Sequence, residues 1–168
     1  EAPATDWHVP LLSLPHRLKL DGTVDGERVP YLRAPLDVPP PLAPRASTSA
    51  RRFGIVWAGN PAFSGRITRD LDVTQLPSIV SIKGIEWIAL QHGAAGDVAS
   101  DGLARPPLPS DWLASAAMLR DLDGLVTTDT GIAHLAGAMG VPTWVLLQYV
   151  PDWRWGLSGD VTPWYPSL

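Results

Sequence analysis

The chain has 168 residues and a formal net charge of −4, and it contains no cysteine. This length suits one domain, or one domain with an arm. The charge is spread without long runs, which argues against a nucleic-acid-binding protein, and the lack of cysteine excludes disulfides and thiolate metal sites. No apolar run reaches the roughly 18 residues of a spanning helix, and no signal peptide is recognisable. We therefore expect a cytoplasmic protein without a membrane span.

The first 50 residues differ in character from the rest of the chain. The segment LDVPPPLAPRASTSARR combines prolines, which remove backbone donors, with a flexible Ser/Thr/Ala stretch. We therefore predict an N-terminal arm and connector over residues 1–50 and a folded domain over residues 51–168. The chain begins with Glu1 rather than Met, so we also expect it to be a piece of a longer protein.

From residue 52 onward, short apolar runs alternate with helical patterns. The runs FGIVWAG, IEWIALQHG, LVTTD and VPTWVLLQ predict four buried strands. Helices are predicted around residues 75–83, in SDWLASAAMLRDLDG with Ser110 as N-cap, and in TGIAHLAGAMG, ended by Gly140. Strands that are apolar throughout and alternate with helices indicate an α/β fold, a Rossmann-like parallel sheet with helices on both faces.

Four predicted loops follow the carboxyl ends of these strands, over residues 58–70, 91–97, 128–131 and 148–155. In open parallel sheets, ligands bind at the carboxyl ends of the strands. We therefore predict that the binding site lies where these four loops converge.

The third loop has the strongest signal, because its residues lie where a strand turns into a helix. The free N–H groups and the positive dipole end of a first helical turn suit a phosphate. Gly131 would let a ligand approach the backbone, Thr130 adds a hydroxyl, and Asp129 is an acceptor for sugar hydroxyls. His134 lies one turn further along the face of Thr130. The alternative is an ordinary N-cap at Asp129 or Thr130 with a core histidine behind it.

The other loops supply weaker candidates. Arg66 and Arg69 stand three residues apart in the long first loop, where they could clamp a diphosphate or be simply solvated. Asn60 belongs to the same loop. Gln91 and His92 end the second strand and could meet a nucleoside or a sugar.

The tail YVPDWRWGLSGDVTPWYPSL is predicted to be an ordered loop held by its tryptophans. Trp153 and Trp155 could stack on a base or sugar, although packing is the favoured interpretation. Motifs for other chemistries are missing: there is no G-x-G-x-x-G, no G-x-x-x-x-G-K-[ST], no G-x-S-x-G and no HExxH. We therefore expect neither a metal nor a cofactor.

The run GLVTTDTGIAHLAGAMGVPTWVLLQYVPDWRW strongly resembles the sugar-nucleotide-binding motif of family 9 glycosyltransferases, the group containing the ADP-heptose:lipopolysaccharide heptosyltransferases. The chain is more similar still to bacterial tetratricopeptide-repeat (TPR) proteins that carry such a domain at their C-terminus. There, GIVWAGNP, VPYLRA and PDWRW…PWYP also have counterparts, so the resemblance covers nearly the whole chain. It implies the C-terminal half of a GT-B fold, which binds a nucleotide-diphosphate sugar, with residues 1–50 as the end of the acceptor half and the connector.

The resemblance also implies roles for particular residues. Asp129 would bind sugar hydroxyls, Thr130 and Gly131 the diphosphate, His134 would support that contact, and Arg69 would add positive charge. The family's acceptor site and catalytic base come largely from the N-terminal half, so the catalytic residues are unknown here and this chain is expected to be inactive alone. An acceptor-binding half or partner chain, with TPR repeats, is the implied partner, and transfer to a glycan or protein is the implied reaction.

The sequence departs from the family pattern at three positions. Ser64 and Ile67 stand where lysine or arginine is common, and His92 stands where lysine is more usual. These departures motivate a second hypothesis, a degenerate, non-catalytic glycosyltransferase-like binding or scaffold module. A dinucleotide-dependent oxidoreductase is a distant third, since the glycine fingerprint is missing.

Overall fold

The structure is a computed structural model that describes residues 6–19, 29–45, 50–62, 69–93, 96, 98 and 101–168. The strands are β1 (Arg51–Val56), β2 (Ile85–Ala89), β3 (Leu103–Ala104), β4 (Gly124–Thr128) and β5 (Thr143–Leu146). The helices are α1 (Leu14–Arg17), α2 (Leu76–Val80), α3 (Trp112–Arg120) and α4 (Gly131–Ala138), with 3₁₀ turns at Leu11–Ser13 and Val73–Gln75. Within these described ranges, no helix is long and apolar enough to cross a membrane.

The five strands of the described residues form one sheet in the order β3-β2-β1-β4-β5, and every neighbouring pair is parallel. Strand β1 is therefore central, with β2 on one side and β4 on the other. This arrangement confirms the predicted α/β fold with a Rossmann-like parallel sheet.

Helices cover both faces of the sheet because the side chains of β1 alternate between two buried cores. Phe53 and Ile55 pack with α2 on one face, whereas Val56 packs with α3 and α4 on the other. Gly54 also lies on the α3/α4 face, where a Cβ would come within 2.7 Å of the Leu90 side chain. Because β1 has a core on each side, its side chains are apolar on both faces, which explains the continuous apolar run in the sequence.

Three details of the predicted elements needed correction. The helix predicted over residues 75–83 is shorter, because a 3₁₀ turn precedes the five residues of α2. Ser110 is not the N-cap of α3; that position is Asp111, whose carboxylate accepts from Ala114 N at 2.8 Å. Strand β3 was not predicted, since two residues are too few to show a period. The predicted end of α4 at Gly140 is confirmed by its left-handed backbone, φ 72°.

The described part of the connector packs against the domain. The N–H of Tyr31 donates to the carbonyl of Ala138, the last residue of α4, at 3.0 Å. The Arg120 guanidinium, at the end of α3, donates to Val38 O at 2.9 Å. The connector is thereby tied to two helices, while the domain boundary at residue 50 stays a prediction.

An ion cluster holds the amino ends of the strands together. Arg52 is buried, and its guanidinium donates to Glu86 Oε2 (3.0 Å), Asp121 Oδ2 (2.5 Å) and Ala43 O (3.1 Å). The hydrogen bond with Glu86 raises the pKa of Arg52 above its ordinary value, against the effect of burial. This cluster lies at the end of β1 opposite the predicted site, so we assign it a structural role.

Candidate functional site

A cavity of about 670 Å³ opens beyond the carboxyl ends of the central strands. It is lined by residues that follow β1, β2 and β4 and by the start of α3: Val56, Ala58, Gly59, Asn60, Pro61, Leu90, Gln91, His92, Gly93, Pro109, Ser110, Asp111, Trp112, Ser115, Thr130 and Ile132. Between β1 and β4 the strand order reverses, which makes this crevice the switch point where open α/β sheets bind ligands. Three of the four predicted loops meet here, whereas the fourth, residues 148–155, does not line the cavity.

The first turn of α4 forms one wall of this cavity through Thr130 and Ile132. Thr130 is the N-cap residue and has extended backbone angles, but its side chain makes no capping hydrogen bond. Its hydroxyl instead lies 3.0 Å from Thr127 Oγ1 and 3.2 Å from Thr128 O. Thr130 thus holds the N-cap position that the alternative gave it, but its side chain does not cap the opening N–H groups of α4. An uncapped first turn at a cavity wall suits an anionic ligand.

Gly131 is covered by the indole ring of Trp112, the first residue of α3. A Cβ at position 131 would come within 2.8 Å of Trp112 Cη2. We expected a ligand to approach the backbone here, and the structure has an aromatic ring in that place instead. Trp112 also lines the cavity and is 63% exposed, so it forms an aromatic wall beside the first turn of α4.

Arg69 links the loop after β1 to the end of β4. Its Nη2 donates to Asp129 O at 2.5 Å, and its Nη1 lies 3.9 Å from Asp129 Oδ2. The adjacent Asp70 accepts from Gly59 N at 2.9 Å, which fixes the beginning of the same loop. Arg69 thus ties the loop after β1 to the residue that follows β4, and it is not among the lining residues. Arg66, the other predicted arginine, lies outside the described residues.

Gln91 is buried and holds the loop after β1 through its side-chain amide. Its Oε1 accepts from the N–H groups of Trp57 (3.0 Å) and Ala58 (2.8 Å). Its Nε2 donates to Ala58 O (3.0 Å) and to the carbonyl of the next residue (3.1 Å). Both ends of the amide are fully engaged, so the structure gives Gln91 a positioning role where we predicted a contact with a nucleoside or sugar.

Asn60 and His92 are exposed residues of the cavity lining. Asn60 Oδ1 accepts from Ala62 N at 2.9 Å and closes a tight turn. Among the described lining residues, the ionisable side chains are His92 and Asp111. No lysine or arginine is among these described lining residues.

His134 lies on α4 behind Thr130, in an aromatic environment. Its ring stacks on Trp155 at 5.2 Å between centroids, with 19° between planes. Its Nδ1 is 3.3 Å from Tyr165 Oη, and its Nε2 is 4.0 Å from Asp129 Oδ1. Burial lowers the pKa of His134, and the Asp129 carboxylate opposes this effect. The favoured packing role of Trp155 is confirmed, because its ring is buried against this histidine.

The predicted residues thus fall into two groups. Asn60, Gln91 and Thr130 line the cavity, whereas Arg69, Asp129 and His134 form a polar cluster outside its lining; Gly131, under Trp112, belongs to neither group. Trp112 and Tyr165 belong to these walls but were not predicted. The one sequence feature linked to Tyr165 is Gly137 inside α4. A glycine there leaves room for a neighbouring ring, since a Cβ would lie 2.5 Å from the tyrosine Cγ. Among the described residues, no three His, Cys, Asp or Glu side chains group to hold a metal ion.

Comparisons of this chain with protein-family models, curated proteins and solved structures found no match. The interpretation of the site therefore depends on its own geometry.

Proposed function

We propose that this chain is the donor-binding half of a GT-B type glycosyltransferase, similar to the family 9 enzymes, and that its cavity binds a nucleotide-diphosphate sugar. The observation that carries this proposal is the cavity at the β1/β4 switch point with the uncapped first turn of α4 as one wall. The proposal includes transfer of the sugar to an acceptor glycan or protein, an acceptor-binding half or partner chain, TPR repeats and a cytoplasmic location.

The size and lining of the cavity support a nucleotide. A volume of about 670 Å³ lies within the range of small-molecule sites. Val56, Leu90, Trp112 and Ile132 provide apolar wall for a base and ribose. The first turn of α4 provides N–H donors and a positive dipole end for the diphosphate.

The polar cluster behind Thr130 supports the sugar end of the same ligand. The Asp129 side chain is 14% exposed and lies between Arg69 and His134, with Arg69 Nη1 3.9 Å from Oδ2 and His134 Nε2 4.0 Å from Oδ1. A carboxylate oxygen accepts hydrogen bonds from sugar hydroxyls. If transfer occurs, the dipole of α4 and the Arg69 guanidinium would stabilise the leaving diphosphate.

Isothermal calorimetry of this chain with ADP-, UDP- and GDP-sugars tests the proposal. We expect saturable binding of at least one of them, with circular dichroism showing an intact fold. If none binds while the fold is intact, the proposal is overturned.

The second candidate is a non-catalytic, glycosyltransferase-like binding or scaffold module. Two observations favour it, because both disfavour a diphosphate. Asp111 brings an acidic side chain to the cavity wall, and the nearby Arg69 guanidinium is already bonded to Asp129 O. Hydrolysis or transfer assays with nucleotide sugars separate the two candidates. Turnover that disappears in Asp129→Ala would exclude the scaffold, whereas binding without turnover in the presence of acceptor halves would favour it.

A further inference from the structure

An exposed tryptophan ring stands at the cavity wall beside the first turn of α4. Trp112 is the first residue of α3, and the N-cap residue Asp111 fixes the start of this helix by accepting from Ala114 N at 2.8 Å. The indole lines the cavity, and most of its surface is exposed. A large apolar ring gains free energy when it leaves water, so a ligand that covers this ring would gain affinity from it.

The indole approaches α4 with an edge and not with a face. From the position of a Cβ on Gly131, Trp112 Cη2 lies at 2.8 Å, Cζ2 at 3.5 Å and Cζ3 at 3.9 Å. Cη2 is nearest, and both ring carbons bonded to it are clearly farther away, as they are along the plane of a ring. A ring that lay flat on Gly131 would place the three carbons at more nearly equal distances. The contact with α4 therefore uses the edge of the indole and leaves its faces off Gly131.

A flat aromatic group is the ligand chemistry that suits an open indole face. Aromatic rings stack with an offset, and a nucleobase can stack whatever hydrogen bonds its edge makes, because every base has a π-face. Val56, Leu90 and Ile132 supply apolar surface elsewhere in the same cavity. We propose that Trp112 is the stacking platform of the cavity and that the base of the nucleotide sugar lies on its indole face. This inference rests on the proposed function, to which it adds the residue that holds the base.

The charges of the cavity lining strengthen the case for stacking. Among the lining residues that the structure describes, the ionisable side chains are His92 and Asp111, and Asp111 is the direct neighbour of Trp112. Without a lysine or arginine in this set, ion pairing with a diphosphate contributes little at the cavity wall. We therefore expect the base to carry a large share of the affinity, so that nucleosides bind measurably and inorganic diphosphate binds poorly.

NMR of the indole N–H groups tests the platform directly. The chain has eight tryptophans, and the Trp112 indole signal is assigned by its loss in Trp112→Phe. We expect adenosine, guanosine, cytidine or uridine at millimolar concentration, and the nucleotide sugar, to shift this signal saturably through the ring current of the stacked base. Inorganic diphosphate has no ring and should shift it much less. If no base-containing probe shifts the signal, or if inorganic diphosphate shifts it equally, the inference is overturned.

Calorimetry of tryptophan variants measures what the indole face contributes. Trp112→Leu keeps an apolar side chain but removes the aromatic face, and we expect roughly 5- to 150-fold weaker binding of the nucleotide sugar. Trp112→Phe keeps a smaller face and should lose less affinity. Trp144→Leu is the matched control, since Trp144 is also largely exposed but does not line the cavity, and it should bind like the wild type. Urea denaturation of each variant shows that the fold is intact.

The outcomes separate this inference from the proposed function. Equal or tighter binding by Trp112→Leu would overturn the platform, and tighter binding would show that the indole only obstructs the first turn of α4. The proposed function would stand in that case, because the nucleotide sugar still binds. If the wild-type chain binds no nucleotide sugar while nucleosides still shift the Trp112 signal, the proposed function fails and the platform stands.

Discussion

Gln91 and Ala58 are joined by two hydrogen bonds in which a side-chain amide takes the place of a neighbouring strand. Gln91 Oε1 accepts from Ala58 N at 2.8 Å, and Gln91 Nε2 donates to Ala58 O at 3.0 Å. The backbone ladder between β1 and β2 stops just before this point, with Leu90 N donating to Ile55 O. The amide therefore continues the pairing by one step and holds the loop that forms the cavity wall.

Replacing this amide should destabilise the fold. Gln91→Glu keeps the shape but removes the donor to Ala58 O and brings a carboxylate into a buried position. We expect the free energy of unfolding at pH 7, measured with urea, to fall by about 1–3 kcal/mol. The exposed neighbour His92 offers a control, since His92→Ala should change the free energy of unfolding by no more than about 0.5 kcal/mol. Wild-type stability of Gln91→Glu would refute the role assigned to the amide.

Adding one methyl group to α4 at Gly137 should lower the stability of the fold. In a helix interior, Gly→Ala normally stabilises by about 1 kcal/mol. In Gly137→Ala the new Cβ would collide with the Tyr165 ring at 2.5 Å, so we expect a net loss of stability in urea denaturation. Gly59→Ala is the comparison, because its Cβ would make only ordinary contacts, the nearest at 3.5 Å to Arg69 Nη2. A more stable Gly137→Ala protein would contradict the packing described here.

Acid sensitivity should depend on Asp123. The hydrogen bond from Arg45, and then that from Arg52 N, lower the pKa of Asp123. A carboxyl group with a lowered folded-state pKa stabilises the fold above its unfolded pKa of about 4, and this contribution is lost as pH falls through the folded pKa. Asp123→Asn should therefore reduce the loss of stability on acidification, as measured by urea unfolding from pH 7 downward.

A double-mutant cycle controls this experiment. The Arg45 guanidinium donates to Asp123 Oδ2 at 2.6 Å and is the largest cause of the pKa shift. In an Arg45→Met background, Asp123→Asn should change the pH dependence less than it does in the wild type. If Asp123→Asn changed the pH dependence of stability equally in both backgrounds, the Arg45–Asp123 ion pair would not be the cause of the acid sensitivity.

Narrowing the cavity should weaken ligand binding without unfolding the chain. Ser110 is exposed at the cavity wall, and Ser110→Trp would place a large side chain at its mouth. We expect calorimetry to show at least about tenfold weaker binding of a nucleotide sugar. Ser78→Trp makes the same change at an exposed position on α2 and should bind like the wild type. Equal binding by both variants would locate the ligand elsewhere.

Four strands could be predicted because each is a short, largely apolar run; β1 is buried on both faces, whereas the edge strand β5 leaves Trp144 57% exposed. Strand β3 escaped prediction, since Leu103 and Ala104 provide no pattern by themselves and are ordered by pairing with β2. The start of α4 was also predictable to within one residue, because the local order of strand, Asp129, Thr130 and glycine is typical of a helix start; the structure has Thr130 as the N-cap.

The contacts around the site could not be predicted in the same way. Trp112 covers Gly131, and Tyr165 contacts His134, in each case through packing between segments that are distant in sequence. Local patterns describe single elements, whereas these contacts depend on how α3, α4 and the tail are packed together. The same limit applies to Gln91, whose strand-end position was predicted but whose partners at Trp57 and Ala58 were not.

The most direct test of the central claim is to locate the ligand by NMR. Backbone amides of the nitrogen-15-labelled chain are followed during titration with the nucleotide sugar that binds most tightly in calorimetry. We predict saturable shifts that are largest at Gly59, Thr130 and Ile132, which line the cavity, and negligible at Gly84, at the amino end of the sheet. Shifts centred away from the cavity, or no shifts at saturating ligand, would contradict the account.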